Sequence, residues 1–121
     1  MPQYAAIIYS ADVDWTLPEY ADESKEYSAF GEAAAAVLRG GAALYPTSTA
    51  TTVRVIGGKG GDVVASDGPY AETKEALTGF YLIEAADLDE AIKWTAQIPA
   101  TWRGKVELRP VFPMNGPAAG Q

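Results

Sequence analysis

The chain of 121 residues carries a formal net charge of −7, and 48% of its residues are hydrophobic, which predicts one folded domain with a real core. The acidic charge argues against a duplex nucleic-acid binder, which needs a basic face, and against attachment to an anionic membrane surface. Neither cysteine nor histidine is present, which excludes disulfides, thiol nucleophiles and cysteine-ligated metals and removes the usual general base near neutral pH.

The first third of the chain predicts a strand followed by a long helix. Residues 4–9 are apolar in both alternating sets, which is typical of a central strand covered on both faces. Pro18 suits the first turn of a helix, and apolar residues continue beyond it at helical spacing. The spacing predicts a helix over about residues 19–39, ended by the glycine pair Gly40 and Gly41.

The middle of the chain predicts a β-hairpin between two further strands. Residues 42–45 fit a short strand. Thr51–Ile56 alternates and is rich in β-branched residues, and the glycine-rich loop 57–61 returns the chain into a second arm over residues 62–66. That loop lacks the ending and the following helix of a phosphate-binding P-loop. Residues 76–85 then predict a long strand.

A second helix is predicted to start at Asp87. The Asp87 side chain can cap the helix, and Glu90 is placed as the partner of a capping box. Pro99 closes this helix, and the alternation over Lys105–Pro110 predicts a half-buried strand. The predicted buried stripe of the helix consists of Leu88, Ala91, Ile92, Thr95 and Ile98.

This order of elements predicts an α+β fold of the ferredoxin-like kind, an antiparallel sheet with two helices on one face and an additional β-hairpin. The other face of the sheet carries apolar residues as well. A domain of this size can cover such a face with a second copy, so we expect a two-fold homodimer. We expect one domain over residues 1–112 and a flexible tail over residues 113–121.

No targeting segment is visible at the N-terminus. The first ten residues lack a basic region followed by a long apolar run and a cleavage site, which argues against a signal peptide. No apolar run approaches the roughly 20 residues that span a bilayer. We therefore expect a cytoplasmic protein that binds neither membranes nor nucleic acid.

The segment SDGPYAETKE at residues 66–75 carries the most specific motif. Asp67-Gly68-Pro69-Tyr70 and the residues after it resemble the signature of DGPF-domain proteins within the YCII-related family, with Tyr70 in place of the usual phenylalanine. The resemblance covers most of the chain, roughly residues 4–111. Further matching motifs occur at residues 49–54, 79–83, 88–91, 99–100 and 106–111.

This resemblance implies a dimeric ferredoxin-like fold, described as an α+β barrel at the level of the dimer. Family members are mostly bacterial, and many are encoded beside extracytoplasmic-function sigma factors, which suggests a link to transcription regulation. More distant YCII-like proteins include small-molecule lyases and dehalogenating enzymes that use a His–Asp pair. Because this chain has no histidine, that chemistry does not carry over, and the resemblance implies a fold rather than a reaction.

The ionisable residues around this segment have two interpretations each. Asp67 either caps the turn through the backbone or acts in a pocket as a proton acceptor, for which burial would have to raise its pKa. Glu72 and Lys74 belong either to a solvated loop or intersubunit ion-pair network, or to a ligand site. In the second case Arg54 and Lys74 hold a small anionic ligand, and Glu72 or Glu75 orients the lysine.

Aromatic residues provide the other candidate ligand contacts. Tyr9, Tyr70 and Tyr81 either line a concave site between sheet and helix or belong to the core. Trp15, in the loop after the first strand, is a candidate entrance residue together with Asp12. Two loop carboxylates without further oxygen ligands do not make a metal site, and we expect neither metal nor cofactor.

Three functions remain open from the sequence. The first is a dimeric small-molecule-binding or regulatory protein with a pocket near the Asp67–Tyr70 segment. The second is a cofactor-free lyase or isomerase that acts on a small organic acid, with Asp67 as the base and Arg54 or Lys74 holding the substrate. The third is an interaction partner of an extracytoplasmic-function sigma factor, in which the acidic surface meets a basic partner.

Overall fold

The computed structural model describes residues 1–113 and contains two antiparallel sheets and two helices. One sheet has four strands in the order β2-β5-β1-β6, and the other consists of β3 and β4 alone. The elements in chain order are β1 (Gln3–Ser10), α1 (Ala21–Ala33), β2 (Leu38–Ala43), β3 (Thr51–Ile56), β4 (Asp62–Asp67), β5 (Ala76–Glu84), α2 (Leu88–Thr95) and β6 (Lys105–Pro110).

The predicted α+β class is confirmed, and the strand order is consistent with a ferredoxin-like fold. The predicted hairpin is confirmed as well, with β3 and β4 paired from Thr51 opposite Asp67 to Ile56 opposite Asp62. The predicted tail lies outside the described residues, apart from Pro113.

β1 is the central strand of the larger sheet, as its sequence predicts. Every second residue from Tyr4 to Ser10 is buried, whereas the residues between them are only half-buried. The buried set faces the helices, because the core on that side includes Phe30 and Ala34 from the α1 region and Ala91 from α2. Within one chain, therefore, only one face of the sheet is fully covered.

The prediction that the first helix runs to residue 39 is wrong. α1 ends at Ala33, the chain turns over residues 34–37, and Leu38 already pairs with Ile83 in the sheet. The alanine-rich run 33–36 favours a helix by propensity, but burial of Leu38 against the core and the strand pairing override it. The glycine pair therefore belongs to β2 and does not end a helix.

The predicted cap of the second helix is confirmed. The backbone N–H of Glu90 donates to Asp87 Oδ1 at 2.9 Å, and the backbone N–H of Ala86 donates to Glu90 Oε1 at 2.6 Å. The first bond satisfies an N–H group that the first turn leaves without a helical partner, and the second ties Glu90 to the residue before the capping Asp87.

The predicted stripe of α2 is right for some positions and wrong for others. Ala91, Thr95 and Ile98 are buried, whereas Leu88 is 50% and Ile92 49% exposed. The helix ends at Thr95, so Ile98 reaches the core from the turn that follows. The short helix thus contacts the core along a narrower strip than its apolar residues suggest.

Candidate functional site

A cavity of 320 Å³ lies between α1 and the four-stranded sheet. Besides α1, the loop after β1 and the paired strands β2 and β5 bound it. The residues that line it are Ile8, Trp15, Ser24, Tyr27, Gly41, Ala42, Ala43, Thr78, Gly79, Phe80 and Tyr81.

Small residues on the sheet create this space. Ala43 pairs with Gly79, and Gly79 in turn pairs with Ile8, so that one row across three strands carries a single large side chain. A Cβ atom at Gly79 would lie 2.6 Å from the carbonyl oxygen of Ala42. The closeness of the two strands therefore requires glycine at this position, and the missing side chain leaves room under α1.

Aromatic rings form the walls of the cavity. The ring centroids of Trp15 and Tyr27 are 6.3 Å apart in an edge-on arrangement, and Trp15 also lies 5.2 Å from Tyr20. On the sheet side, the Tyr81 ring packs edge-on against Phe30 at 5.1 Å. These contacts hold three rings around the opening, in the offset and edge geometries that aromatic pairs prefer.

The loop that carries Trp15 is held by an aspartate. Asp14 Oδ1 accepts hydrogen bonds from the backbone N–H of Thr16 at 2.9 Å and from the Thr16 hydroxyl at 2.5 Å. These bonds lower the pKa of Asp14, because they stabilise its ionised form. Asp14 thus fixes a turn next to the cavity, and its Oδ1 atom is already hydrogen-bonded to Thr16.

A second aspartate connects the two loops near the cavity. Asp12 Oδ1 accepts a hydrogen bond from the backbone N–H of Thr47 at 2.8 Å, and Asp12 Oδ2 accepts one from the Thr47 hydroxyl. The loop after β1 is therefore tied to the segment that follows β2. Within residues 1–113, no three carboxylates come together in a group that could hold a metal ion.

The polar groups of the cavity are hydroxyls. Burial, followed by the charge of the neighbouring Tyr81 phenol, raises the pKa of Tyr27 to about 12. Burial also raises the pKa of Tyr81. Both phenols therefore keep their protons at neutral pH, and the Tyr27 hydroxyl forms a hydrogen bond with the backbone of Ala100. The Thr78 hydroxyl lies 2.7 Å from that of Ser10, and Ser24 contributes a further hydroxyl.

No acidic or basic side chain is among the residues that line the cavity. Burying a charge without a partner is strongly unfavourable, whereas an apolar or aromatic body is favoured by burial. The arrangement therefore suits an uncharged molecule with a ring that contacts Trp15 and Tyr27 and a polar atom that accepts hydrogen bonds.

Two of the residues singled out from the sequence, Tyr81 and Trp15, line this cavity. Tyr9 does not, because it lies on the opposite face of β1 from Ile8, where it pairs with Lys105. Tyr70 is 91% exposed.

The charged candidates lie elsewhere. Arg54 is on β3, Asp67 ends β4, and Glu72 and Lys74 follow in the loop before β5. All four are exposed, and none lines the cavity. A single chain therefore does not enclose the pocket that we predict near the Asp67–Tyr70 segment.

The Asp67-Gly68-Pro69 segment has a clear structural role. The backbone dihedral angle φ of Gly68 is +95°, a value that glycine adopts without strain. Its N–H donates to the carbonyl oxygen of Ala50 at 2.7 Å, and its carbonyl accepts from the Thr52 hydroxyl at 2.8 Å. The turn therefore closes the base of the hairpin, and the unusual dihedral angle that the structural interpretation expects of Gly68 is confirmed.

Sequence reasoning missed most of the cavity. Helical spacing places Tyr27 only on the apolar face of the first predicted helix, and the glycine pair that includes Gly41 is predicted to end that helix. The available signal was a set of glycine and alanine residues within strands, which often marks a close backbone approach or a space beside it. The other lining residues that the sequence did not single out are Ile8, Ser24, Ala42, Ala43, Thr78, Gly79 and Phe80.

Comparisons with known proteins add a family and one relative. The family model of the YCII-related domain matches residues 3–115. An uncharacterized protein of Rhizobium meliloti (strain 1021) is 45% identical over 74 residues, which are 58% of this chain and 56% of the relative. The chain thus spans little more than half the length of that relative. None of the helices described is long and apolar enough to cross a membrane.

Proposed function

The chain belongs to the YCII-related family, and we propose that it is a small-molecule-binding protein that works as a two-fold dimer. Family membership does not select a reaction or a ligand, so the proposal depends on the site. The observation that supports the proposal is the cavity between α1 and the sheet. Its volume of 320 Å³ falls within the range of about 300–1,000 Å³ that is usual for ligand pockets.

The ligand class follows from the lining. Trp15, Tyr27 and Tyr81 offer ring faces and edges, and Ser24, Thr78 and Tyr81 are lining residues with hydroxyl groups. We therefore assign the cavity to an uncharged, planar molecule with an apolar ring and a hydrogen-bond acceptor, such as a carbonyl. An anion would have to bury its charge there without a cationic partner.

The proposed dimer is supported by the face of the sheet that no helix covers. The register places Ile7 opposite Phe80 and Ala5 opposite Leu82 on this face. We call it the open face. All four side chains are only half-buried, and an apolar face of this kind is commonly covered by a second copy.

The lyase or isomerase alternative is not favoured by the cavity. Proton abstraction needs a base within hydrogen-bond reach of the substrate, and the lining residues include neither a carboxylate nor a lysine. Asp67, Arg54 and Lys74 are exposed in one chain. They would form a site for a small anion only if a second copy enclosed them.

A pair of probes that differ in charge tests the proposal. Benzamide and benzoate have nearly the same shape, but only benzoate is an anion. We expect benzamide to shift the NMR signal of the Trp15 indole N–H at millimolar concentration, and to leave that of Trp94, which does not line the cavity, in place. Benzoate should bind at least about tenfold more weakly.

A variant that fills the cavity, compared with a matched control outside it, tests whether benzamide binds there. Ala43→Leu should abolish the benzamide shift without unfolding the chain, because Ala43 lines the cavity at an exposed strand edge. Ala36→Leu, in the exposed turn after α1, should leave binding unchanged. The proposal is wrong if benzamide produces no shift, if benzoate binds as tightly, or if Ala43→Leu binds benzamide like the unmodified chain.

A further inference from the structure

The β3–β4 hairpin stands apart from the rest of the structure. We call residues 51–67 the arm. Its two strands pair with each other and with no other strand of residues 1–113. Every residue of the two strands is exposed except Thr52, which is half-buried.

The register divides the arm into two different faces. Val53 pairs with Ala65, and Val55 pairs with Val63, so these four side chains lie on one face. Val53 is 62%, Val55 47% and Val63 71% exposed. Arg54 lies on the opposite face. We call the first one the valine face.

Such an arm is not stable without a covering surface. A two-stranded hairpin on its own is marginally stable in water at best, and it needs a third strand or a packed layer. Adjacent exposed valines are also a hazard, because they favour aggregation unless a specific partner covers them. The valine face therefore requires an occupant.

The distribution of charge favours a second copy of the chain as this occupant. Within the arm, Arg54 and Lys59 balance Asp62 and Asp67, so its formal charge is zero, and the whole charge of −7 lies outside it. Two copies repel one another through their acidic surfaces. The arm is a region where they can meet without that repulsion, whereas a basic partner protein would be attracted to the acidic remainder.

The size of the two uncovered apolar faces supports the same occupant. Six residues at about 3.3 Å each and two strands about 4.8 Å apart give the arm a footprint of about 200 Å². The same spacings give the four-stranded open face about 400 Å². A standard stable interface buries about 800 Å² per partner. Neither face alone approaches this size, and together they give about 600 Å², the lower end of the range for a standard interface.

We propose that the arm packs its valine face against a second copy of this chain and so extends the contact made by the open face. This inference deepens the proposed dimer and rests on it. Each copy contributes its arm to the other, which closes the assembly by two-fold symmetry. The arm is then a dimerisation element, and its stability depends on the partner.

Two neighbouring positions on opposite faces of the arm provide the test. Val63→Asp places a carboxylate on the valine face, and Val64→Asp places the same carboxylate on the other face, where Val64 pairs with Arg54. Val63 is 71% exposed in one chain, so a single chain gives no reason for Val63→Asp to be harmful. We expect Val63→Asp to raise the dimer dissociation constant at least tenfold and Val64→Asp to change it less than threefold, by analytical ultracentrifugation over a dilution series.

A second measurement uses the absence of cysteine in the chain. Val63→Cys accepts a single polarity-sensitive fluorophore on the valine face, and Lys59→Cys accepts it in the loop between the two strands. On dimerisation the emission should shift to the blue at position 63 and stay constant at position 59. This readout remains informative if Val63→Asp fails to fold.

The outcomes separate the inference from the proposed function. If the unmodified chain dimerises, while Val63→Asp keeps the same dissociation constant and the label at position 63 stays in water, the arm is not part of the interface and the inference is wrong. If the unmodified chain remains at 12.8 kDa at all concentrations, the proposed dimer and the inference both fail. In that case benzamide binding still decides the assignment of the cavity.

Discussion

Gly41 lies directly opposite Tyr81 in the β2–β5 pair, and no larger residue fits there. A Cβ atom at Gly41 would lie 2.6 Å from the carbonyl oxygen of Phe80 and 3.0 Å from the Tyr81 ring. The edge strand therefore approaches β5 closely at this point, and the Tyr81 ring rests against bare backbone. This contact sets the position of one wall of the cavity.

Gly41→Ala should destabilise the chain. The added methyl group forces β2 or the Tyr81 ring to move, and such overpacking reduces the free energy of unfolding by about 1–3 kcal/mol. Urea denaturation followed by circular dichroism measures this loss. The same displacement should weaken benzamide binding, since Tyr81 lines the cavity.

Gly31→Ala is the control, and we expect the opposite sign. Gly31 lies within α1, and a Cβ atom there meets nothing within 4 Å. Alanine in a helix interior is more stable than glycine by roughly 0.5–1 kcal/mol. If both substitutions change the urea midpoint in the same direction, the account of the close approach at Gly41 is incorrect.

Asp87→Ala should destabilise α2. The substitution removes the acceptor of the Glu90 N–H and so leaves a helix N-terminal donor without a side-chain partner, which reduces the free energy of unfolding by about 1 kcal/mol. Asp89→Ala is the matched control, because Asp89 lies in the same first turn but is not the capping residue. Equal losses in urea denaturation would show that the charge of the first turn matters and the cap does not.

Ser10 and Thr78 should behave as a coupled pair. Their hydroxyls are 2.7 Å apart, and Ser10 is only 6% exposed. Ser10→Ala leaves the Thr78 hydroxyl without this partner, which lowers stability by about 1–3 kcal/mol. Adding Thr78→Val should then cause less loss than it does alone, because the hydrogen bond is already absent. Strictly additive losses in a double-mutant cycle would contradict the coupling.

Stability should fall at alkaline pH because of Tyr27. The folded chain holds the Tyr27 proton up to a pKa of about 12, whereas the unfolded chain releases it near 10.0. Between these values the folded state binds more protons, so the contribution of Tyr27 to stability is complete below pH 10 and is lost as the pH rises toward 12. Tyr27→Phe should make the alkaline decrease in the urea midpoint less steep.

The control for this pH dependence is Tyr45→Phe, which removes a phenol that is 67% exposed. We expect its alkaline decrease to match that of the unmodified chain. The physical cause assigned to Tyr27 is wrong if the two variants have the same pH profile.

Local patterns were sufficient for several elements of the fold. The β-branched alternation of Thr51–Ile56 and the glycines after it specified the hairpin, and the Asp87–Glu90 spacing specified the cap of α2. In each case, the residues that interact are close in sequence, so the information is contained in the local pattern. The α+β class followed from the order of such elements.

The candidate site depended instead on contacts between distant residues. The charged residues near Asp67 were the obvious candidates, but the cavity formed where Trp15 from a loop, Tyr27 from a helix and Tyr81 from a strand came together. Only Tyr81 lies in one of the matching motifs, and no motif joins the three residues. A cavity forms where the side chains of several packed elements leave space between them. No single segment of the sequence shows where that space will be.

By itself, then, the sequence determined the class of the fold, the hairpin, the capped second helix and the exclusion of histidine and cysteine chemistry. Only the tertiary structure decided that α1 ends at Ala33 and that Gly41 belongs to a strand. The physical reason is the same in both cases. Propensity within 33–36 contributes a few tenths of a kcal/mol per residue, whereas pairing Leu38 with Ile83 and burying it against the core contributes more, and that gain exists only once β5 is in place.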